Sequence, residues 1–183
     1  MPSDDPRTDG ELLSAIAQAE EAACAALYYR HRDWVYRLAY RFTGHAEDAQ
    51  DATQEVFVYL ARAAGRIDLR VRLTSFLYPV VKHIALAIRR KRKRAPELNP
   101  ELELPAPAAA PEASEERRRL AEVLAGLEEH HREILLMRFV DDLTLEEIAR
   151  ALGIPLGTAK SRLHHAVKHL QTDPRCRRYF ENL

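Results

Sequence analysis

Between Leu143 and Leu170 the chain reads LTLEEIARALGIPLGTAKSRLHHAVKHL, a pattern of two short helices joined by a glycine turn. Thr144 followed three residues later by Glu147 forms a capping box, in which hydroxyl and carboxylate each satisfy an orphan amide, so a helix begins near Leu145. Ile148, Ala149 and Leu152 fall at helical spacing, and Gly153 supplies the left-handed position that ends the helix. Pro155 suits the first turn of a second helix, whose buried stripe is Ala159, Leu163, Ala166, Val167 and Leu170. Lys160, Ser161, Arg162, His164, His165 and Lys168 are left facing outward. A DNA major groove requires such a face: charged groups for phosphates and hydrogen-bonding groups for base edges. A solvated basic face is the plainer alternative, and the tight turn, the capping box and the small Ala149 at the helix crossing favour a helix-turn-helix DNA reader.

The chain's 183 residues, 46% of them hydrophobic, suffice for two small domains with real cores. Its 28 basic and 28 acidic residues cancel, which excludes a general polyanion binder. The charges are nonetheless segregated. Arg89 to Arg94 is an unbroken basic run, RRKRKR, whereas Ala95 to Glu116 holds six glutamates and no basic residue. Cys24 and Cys176 belong to no paired-cysteine motif, so neither a disulfide framework nor a cysteine zinc site is indicated and a reducing cytoplasm is expected. The opening MPSDDPRTDG lacks the basic start and apolar core of a secretion signal, and no apolar run approaches membrane-spanning length, so no membrane insertion is expected.

The expected fold is all-α, with two small helical domains joined by a Pro/Ala-rich linker. Residues 11–94 carry apolar positions at helical spacing almost throughout. Leu27, His31, Trp34, Leu38 and Phe42 share one face of a first long helix, which Thr43 and Gly44 break. A second helix, from about Ala46 to Ala64, turns Ala49, Ala52, Val56 and Leu60 inward. After Gly65 a loop of mixed charge, RIDLRVRLT, leads to a third helix near Ser75 with Leu77, Val80, Val81, Ile84 and Ile88 as its stripe. Residues 95–114 have a composition that favours extended, semi-rigid backbone and read as a linker. A second helical module spans 115–171, and 172–183 form a short tail with Pro174 as a stop.

Three motifs stand in order along the chain: AEDAQDATQEVFVYL at Ala46 to Leu60, SFLYPVVKHIALAIRRKRKR at Ser75 to Arg94, and HHREILLMRFVDDLTLEEIARALGIPLGTAKSRLHHA at His130 to Ala166. A helical bundle ending in a basic helix, then a linker, then a helix-turn-helix module resembles an extracytoplasmic-function sigma factor of bacterial RNA polymerase, from about Ala25 to Leu170. The resemblance implies that the protein binds core polymerase and directs promoter-specific initiation, with no catalytic residues, cofactor or metal of its own. It implies that Asp48, Asp51, Gln54, Glu55 and Phe57 dock on the clamp coiled coil of the largest polymerase subunit, and that the polymerase flap is contacted as well. Three- and four-residue spacing supports one carboxylate-bearing face at Asp48, Asp51 and Glu55; an ordinary solvated acidic face is the alternative.

By the same resemblance the loop from Arg66 to Thr74 holds an extruded base and the helix after it opens the promoter. Arg66, Arg70 and Arg72 can grip a strand backbone, and Phe76 and Tyr78 either stack on bases or pack in the core. Lys82, His83, Arg89 and Arg90 are further DNA candidates on that helix, whose run of like charge needs an anionic neighbour to persist. In the second module Thr158, Lys160, Ser161, His164 and His165 match the positions that read the minus-35 element, with Arg162, Lys168 and Arg138 as backbone contacts. An anti-sigma partner is also implied, because a permanently open docking face competes for polymerase at all times.

The chain departs from the family's pattern. His83 stands where asparagine is common, Pro79 where a basic residue is frequent, Phe76 where tryptophan is usual, and His165 where arginine is typical. Pro79 predicts a kink or a later helix start. A helix-turn-helix activator is the rival, but such proteins pair the module with a strand-rich domain, and no alternating strand pattern precedes Ala95. An enzyme would have to be built on the histidines, yet His165 and His169 enclose no glutamate and no cysteine pair or nearby carboxylate completes a site.

Overall fold

The computed structural model describes residues 5–94 and 115–174, with 115–119 by backbone alone. All regular structure among these residues is helical, without a strand, so the strand-rich domain of the rival activator is missing from them. The chain divides into two compact units, Met1–Ala108 and Ala109–Leu183. The expected linker, 95–114, and the tail beyond Pro174 lie outside the described residues.

Among the described residues the first unit has four α-helices, α1 (Asp9–Ala17), α2 (Glu21–Thr43), α3 (Ala46–Ala63) and α4 (Leu73–Arg94), with a short 3-10 turn, Ala64–Arg66, after α3. Helices α2, α3 and α4 pack on one another around Leu27, Val35, Leu38, Val56, Leu60, Leu77 and Val81, all essentially buried. Gly44 ends α2 at φ +71, the left-handed conformation glycine adopts without penalty, and its N–H donates to the Tyr40 carbonyl at 2.8 Å. That turn brings α3 straight back along α2. The α3 stripe is Ala49, Ala52, Val56 and Leu60 as expected, joined by Thr53. On α2 Leu27, His31 and Leu38 are interior as expected, joined by Val35 and Ala39, whereas Trp34 and Phe42 stay half-buried. On α4 the interior positions are Leu73, Ser75, Leu77, Tyr78, Val81 and Ala85, with Val80, Ile84 and Ile88 half-buried.

Helix α4 begins at Leu73, earlier than Ser75, and continues through Pro79, so the later start expected from the proline does not occur. Pro79 is on the exposed side of the helix. Helix α1 was not anticipated as a separate element. Thr8 and Glu11 cap it reciprocally, and Leu12 and Leu13 bury against the bundle. Asp9 fixes it to α2: Arg30 Nη1 donates to Oδ1 at 2.8 Å, and His31 Nε2 lies 3.0 Å from Oδ2. Burial opposes the Asp9 carboxylate, but the hydrogen bonds from His31 and Arg30 outweigh it and hold its pKa below the ordinary value. Asp5, paired with Arg7 at 2.8 Å, is lowered to about 2, chiefly by the Arg7 hydrogen bond.

The second unit comprises α5 (Glu115–Ala125), α6 (Glu129–Phe139), α7 (Leu145–Leu152) and α8 (Leu156–Thr172). Helix α8 packs on both α6 and α7. Ile134, Met137, Leu143, Ile148, Ala159 and Ala166 fill the core. Alanine at 159 and 166 lets α8 approach its neighbours closely, while Leu163, Val167 and Leu170 flank the contact half-buried.

Candidate nucleic-acid interface

The helix-turn-helix geometry follows from its caps. Thr144 N–H donates to Glu147 Oε2 at 2.8 Å, and Glu147 N–H donates to Thr144 Oγ1 at 3.2 Å, closing the box. At the far end of α7 Gly153 sits at φ +65 and donates to Arg150, and Ile154 reaches back to the Ala149 carbonyl at 2.9 Å. These paired bonds satisfy carbonyls that the helix end leaves open. Pro155 is the residue just before α8 and not in its first turn. Both ends of the turn are thereby fixed, and so is the direction in which α8 leaves it.

On α8 Lys160, Ser161, His164, His165 and Lys168 are all exposed, at spacings of one, three and four residues that place them on one outward row. Thr158 and Arg162 are half-buried at the edge of that row. Arg138, expected on the DNA backbone, is half-buried and donates from Nη1 to the Leu143 carbonyl at 3.2 Å, bracing the chain before α7. The His165 ring lies 6.2 Å from that of His131 on α6 and 5.7 Å from that of His164. Burial, then the neighbouring His130, holds the His131 pKa below its ordinary value.

In the first unit the expected residues separate into two groups. Tyr78 is 1% exposed and meets Phe42 edge-on with ring centroids 6.2 Å apart, so of the two roles open to it core packing is the one found, and its place among the DNA contacts is corrected. Phe76, two residues away and so turned about 200° around the helix, is half-buried on the other side. It lines a groove of about 670 Å³ together with Glu55, Val58, Tyr59, Arg62, Arg66 and Ile84. Arg66 and Phe76 are thus brought together, as the sequence suggested. Arg70 is exposed and ion-paired with Asp68 at 2.6 Å, and Arg72 is exposed on the same loop.

The basic end of α4 is divided as well. Arg89 donates from Nη1 to the Phe42 carbonyl at 3.3 Å, and Lys82 lies 5.7 Å from the centroid of the Phe42 ring. Arg92 Nη1 stands 3.2 Å from Asp48 Oδ1, and its Nη2 lies 2.8 Å from His45 Nε2. These contacts supply the anionic neighbour that the basic run requires, at the carbonyl end of α2 and the start of α3. His83, Arg90, Lys91, Lys93 and Arg94 are exposed.

Asp48 is therefore not part of a free acidic face. Its side chain is 14% exposed and held by Arg92, which corrects the expectation that it is a docking contact. Asp51, Gln54 and Glu55 are exposed, and the same outer face continues into Val58 and Tyr59, which are 47% and 43% exposed. Sequence reasoning missed these two. Phe57 is half-buried beside that face, edge-on to Tyr28 of α2 at 4.9 Å.

Comparison with known proteins places these parts in context. Residues 27–95 match the sigma-70 region 2 family model and residues 117–170 match sigma-70 region 4. The ECF RNA polymerase sigma factor SigE of Mycolicibacterium smegmatis is 32% identical over 93% of this chain and 68% of its own length. The ECF sigma factor SigL of Mycobacterium tuberculosis is 30% identical over 87% of this chain and 93% of its own. The chain belongs to the ECF RNA polymerase sigma factors. As an ECF sigma factor it binds core polymerase and directs promoter-specific transcription initiation. SigW of Bacillus subtilis, 24% identical over 87% of this chain and 92% of its own, is a more distant relative. The fold agrees with that of CnrH, solved in complex with the cytosolic domain of CnrY, at a TM-score of 0.63 and 22% identity over 88% of this sigma factor and 93% of that chain. RpoE of Bartonella quintana, solved with the anti-sigma factor NepR, gives 0.58 at 18% identity over 79% of this chain and 91% of that one. Sigma factors as a family are not enzymes, and no helix among the described residues is long and apolar enough to cross a membrane.

Proposed function

We propose that the outer face of α3 is the surface by which this sigma factor holds core polymerase, with Asp51, Gln54 and Glu55 at its acidic end, Val58 and Tyr59 at its apolar end, and Phe57 on its flank. The observation that carries this reading is the continuity of exposed carboxylates with exposed large apolar side chains on a single helix face. Singly scattered apolar residues are ordinary on a solvated face, whereas adjoining large apolar side chains rimmed by charge mark a partner surface. Asp48 positions the face by tying the start of α3 to Arg92.

The remaining surfaces divide the promoter between them. The loop 66–72 and Phe76 engage the strand opened near the start site, where Arg66, Arg70 and Arg72 follow the phosphates and the Phe76 ring offers a stacking surface. His83, Arg90 and the exposed lysines and arginine at the end of α4 extend that cationic path. Helix α8 reads the upstream element through Lys160, Ser161, His164 and His165, with Thr158, Arg162 and Lys168 beside them. The units 11–94 and 115–171 act as separate promoter grips joined through 95–114. The protein works in the cytoplasm, and an anti-sigma factor covers the α3 face until a signal releases it. The distant RpoE, solved in complex with the anti-sigma factor NepR, supports a partner of that kind.

Charge reversal tests the docking face directly. Asp51→Lys combined with Glu55→Lys changes two exposed side chains, so the helix content and melting curve stay as in the parent. Co-purification with core polymerase should be lost. Retention of core enzyme by the folded double variant rejects the face.

A further inference from the structure

Apart from the two interfaces, the start of α6 carries a group of donors with no part in either. Glu128, His130 and His131 each offer one ligand atom, a carboxylate oxygen or a ring nitrogen, and all three atoms lie within 4.8 Å of one another. His130 Nε2 is 3.3 Å from Glu128 Oε2, and the two imidazole rings stand 4.1 Å apart between centroids. Glu128 precedes the first turn of α6 with extended backbone, and its carboxylate makes no capping bond to the helix amides. The carboxylate is therefore turned back toward the imidazoles of the first turn.

Two imidazoles and one carboxylate are the donor set that borderline-soft divalent ions prefer, while calcium and magnesium select oxygen ligands alone. Zinc takes nitrogen and carboxylate oxygen at about 2.0–2.2 Å, which sets neighbouring tetrahedral ligands about 3.3 Å apart. The His130 and Glu128 atoms already stand at 3.3 Å, and the widest separation needs to close by at most about 1.5 Å. Glu128 is exposed and both histidines are only half-buried, so their side chains can make the adjustment without disturbing the core. The geometry points to a site for one divalent ion of zinc's class, held by Glu128, His130 and His131 with water in the fourth position. Because the positive end of the α6 dipole opposes a cation, the Glu128 carboxylate is required as well as the rings.

The site adjoins α8. His165, on the outward row, has its ring 6.2 Å from that of His131. If α8 reads DNA as proposed above, a bound ion adds positive charge beside the recognition row. The ion site itself is tested without DNA or polymerase, so its outcome is independent of that reading.

Untagged full-length protein, stripped of metal, is titrated with zinc chloride against a chromogenic chelator. One ion per chain is expected. His131→Gln and Glu128→Gln should each weaken zinc binding by at least about 10-fold, with far-UV circular dichroism showing the helical fold unchanged. His169→Ala, on the last turn of α8, serves as the control and should bind as the parent does. Absence of saturable zinc binding by the parent overturns the site. So does undiminished binding by the folded Glu128→Gln variant, which keeps both imidazoles whether or not a histidine substitution folds.

Discussion

Two aromatic residues on one helix should respond oppositely to the same truncation. Tyr78 is 1% exposed and packs edge-on against Phe42, so Tyr78→Ala leaves a cavity in the three-helix core of the first unit. Truncating a buried aromatic to alanine costs about 3–5 kcal/mol, a large fraction of the ~5–15 kcal/mol that separates a folded domain from its unfolded ensemble. Phe76 lines an open groove instead, and its loss removes a half-exposed ring without opening the core. As a stacking platform it contributes about 1–3 kcal/mol per base, equivalent to roughly 5- to 150-fold in strand binding. Urea denaturation followed by circular dichroism should therefore show a large drop in midpoint for Tyr78→Ala and little change for Phe76→Ala. Fluorescence of a base analogue placed in the melted region of the promoter should show the reverse, with opening impaired by Phe76→Ala in folded holoenzyme. Normal opening by Phe76→Ala, or an unshifted midpoint for Tyr78→Ala, refutes this division of α4.

Three further substitutions probe the remaining links. Lys160→Ala, if Lys160 is a phosphate contact, should weaken promoter binding uniformly across sequences and reduce the slope of log affinity against log salt by about one; a loss confined to one base position assigns the residue to base recognition. Gly153→Ala meets no atom within 4 Å at its new Cβ, so its whole cost is the left-handed backbone at φ +65, about 1–2 kcal/mol, and thermal melting that leaves stability unchanged contradicts the turn geometry. The Asp9 carboxyl has a folded pKa below 3.8, so its contribution to stability is present above 3.8 and is lost as pH falls through the folded value. Urea midpoints measured down that acid limb should decline less steeply in Asp9→Asn than in the parent, and parallel curves reject the Asp9 clamp on α1.

Local patterns were legible wherever the determining contacts are local. Thr144, Glu147 and Gly153 fix both ends of α7 within ten residues, and sequence alone located them. Thr8 and Glu11 carry the same capping signature before Leu12 and Leu13, but a polar, acidic opening stretch masked the start of α1. Asp48 was grouped with Asp51 and Glu55 because helical spacing puts them on neighbouring rows, and only the tertiary fold reveals Arg92 beside it, 44 residues further along the chain. Val58 and Tyr59 were missed for a related reason: an apolar residue in an amphipathic helix is assigned inward unless a partner surface draws it out. The donor group at α6 was hidden differently. Attention to i, i+4 pairs such as His165 and His169 passes over Glu128, whose extended backbone ahead of the helix returns its carboxylate to residues two and three positions on.

The zero net charge conceals how the cations are used. Arg89 and Arg92 lie three residues apart on α4, where the half-buried Arg89 meets the Phe42 carbonyl near the end of α2 and the exposed Arg92 pairs with Asp48 in the first turn of α3. Arg90, Lys91, Lys93 and Arg94 are exposed around the same turn. These two arginines neutralise a helix end and an acidic side chain beside the cationic end of α4, and they tie that end to α2 and α3. Salt sensitivity of promoter binding then follows the exposed set, because counterion release counts phosphates neutralised and not the protein's total charge. On the proposed reading of α4 as a DNA surface, removal of Arg92 leaves the Asp48 carboxylate without its arginine next to the cationic end as well as deleting a positive charge. A neutral protein with charges sorted in this way can discriminate a promoter from bulk nucleic acid, since its attraction is confined to the few surfaces that also present base-reading side chains.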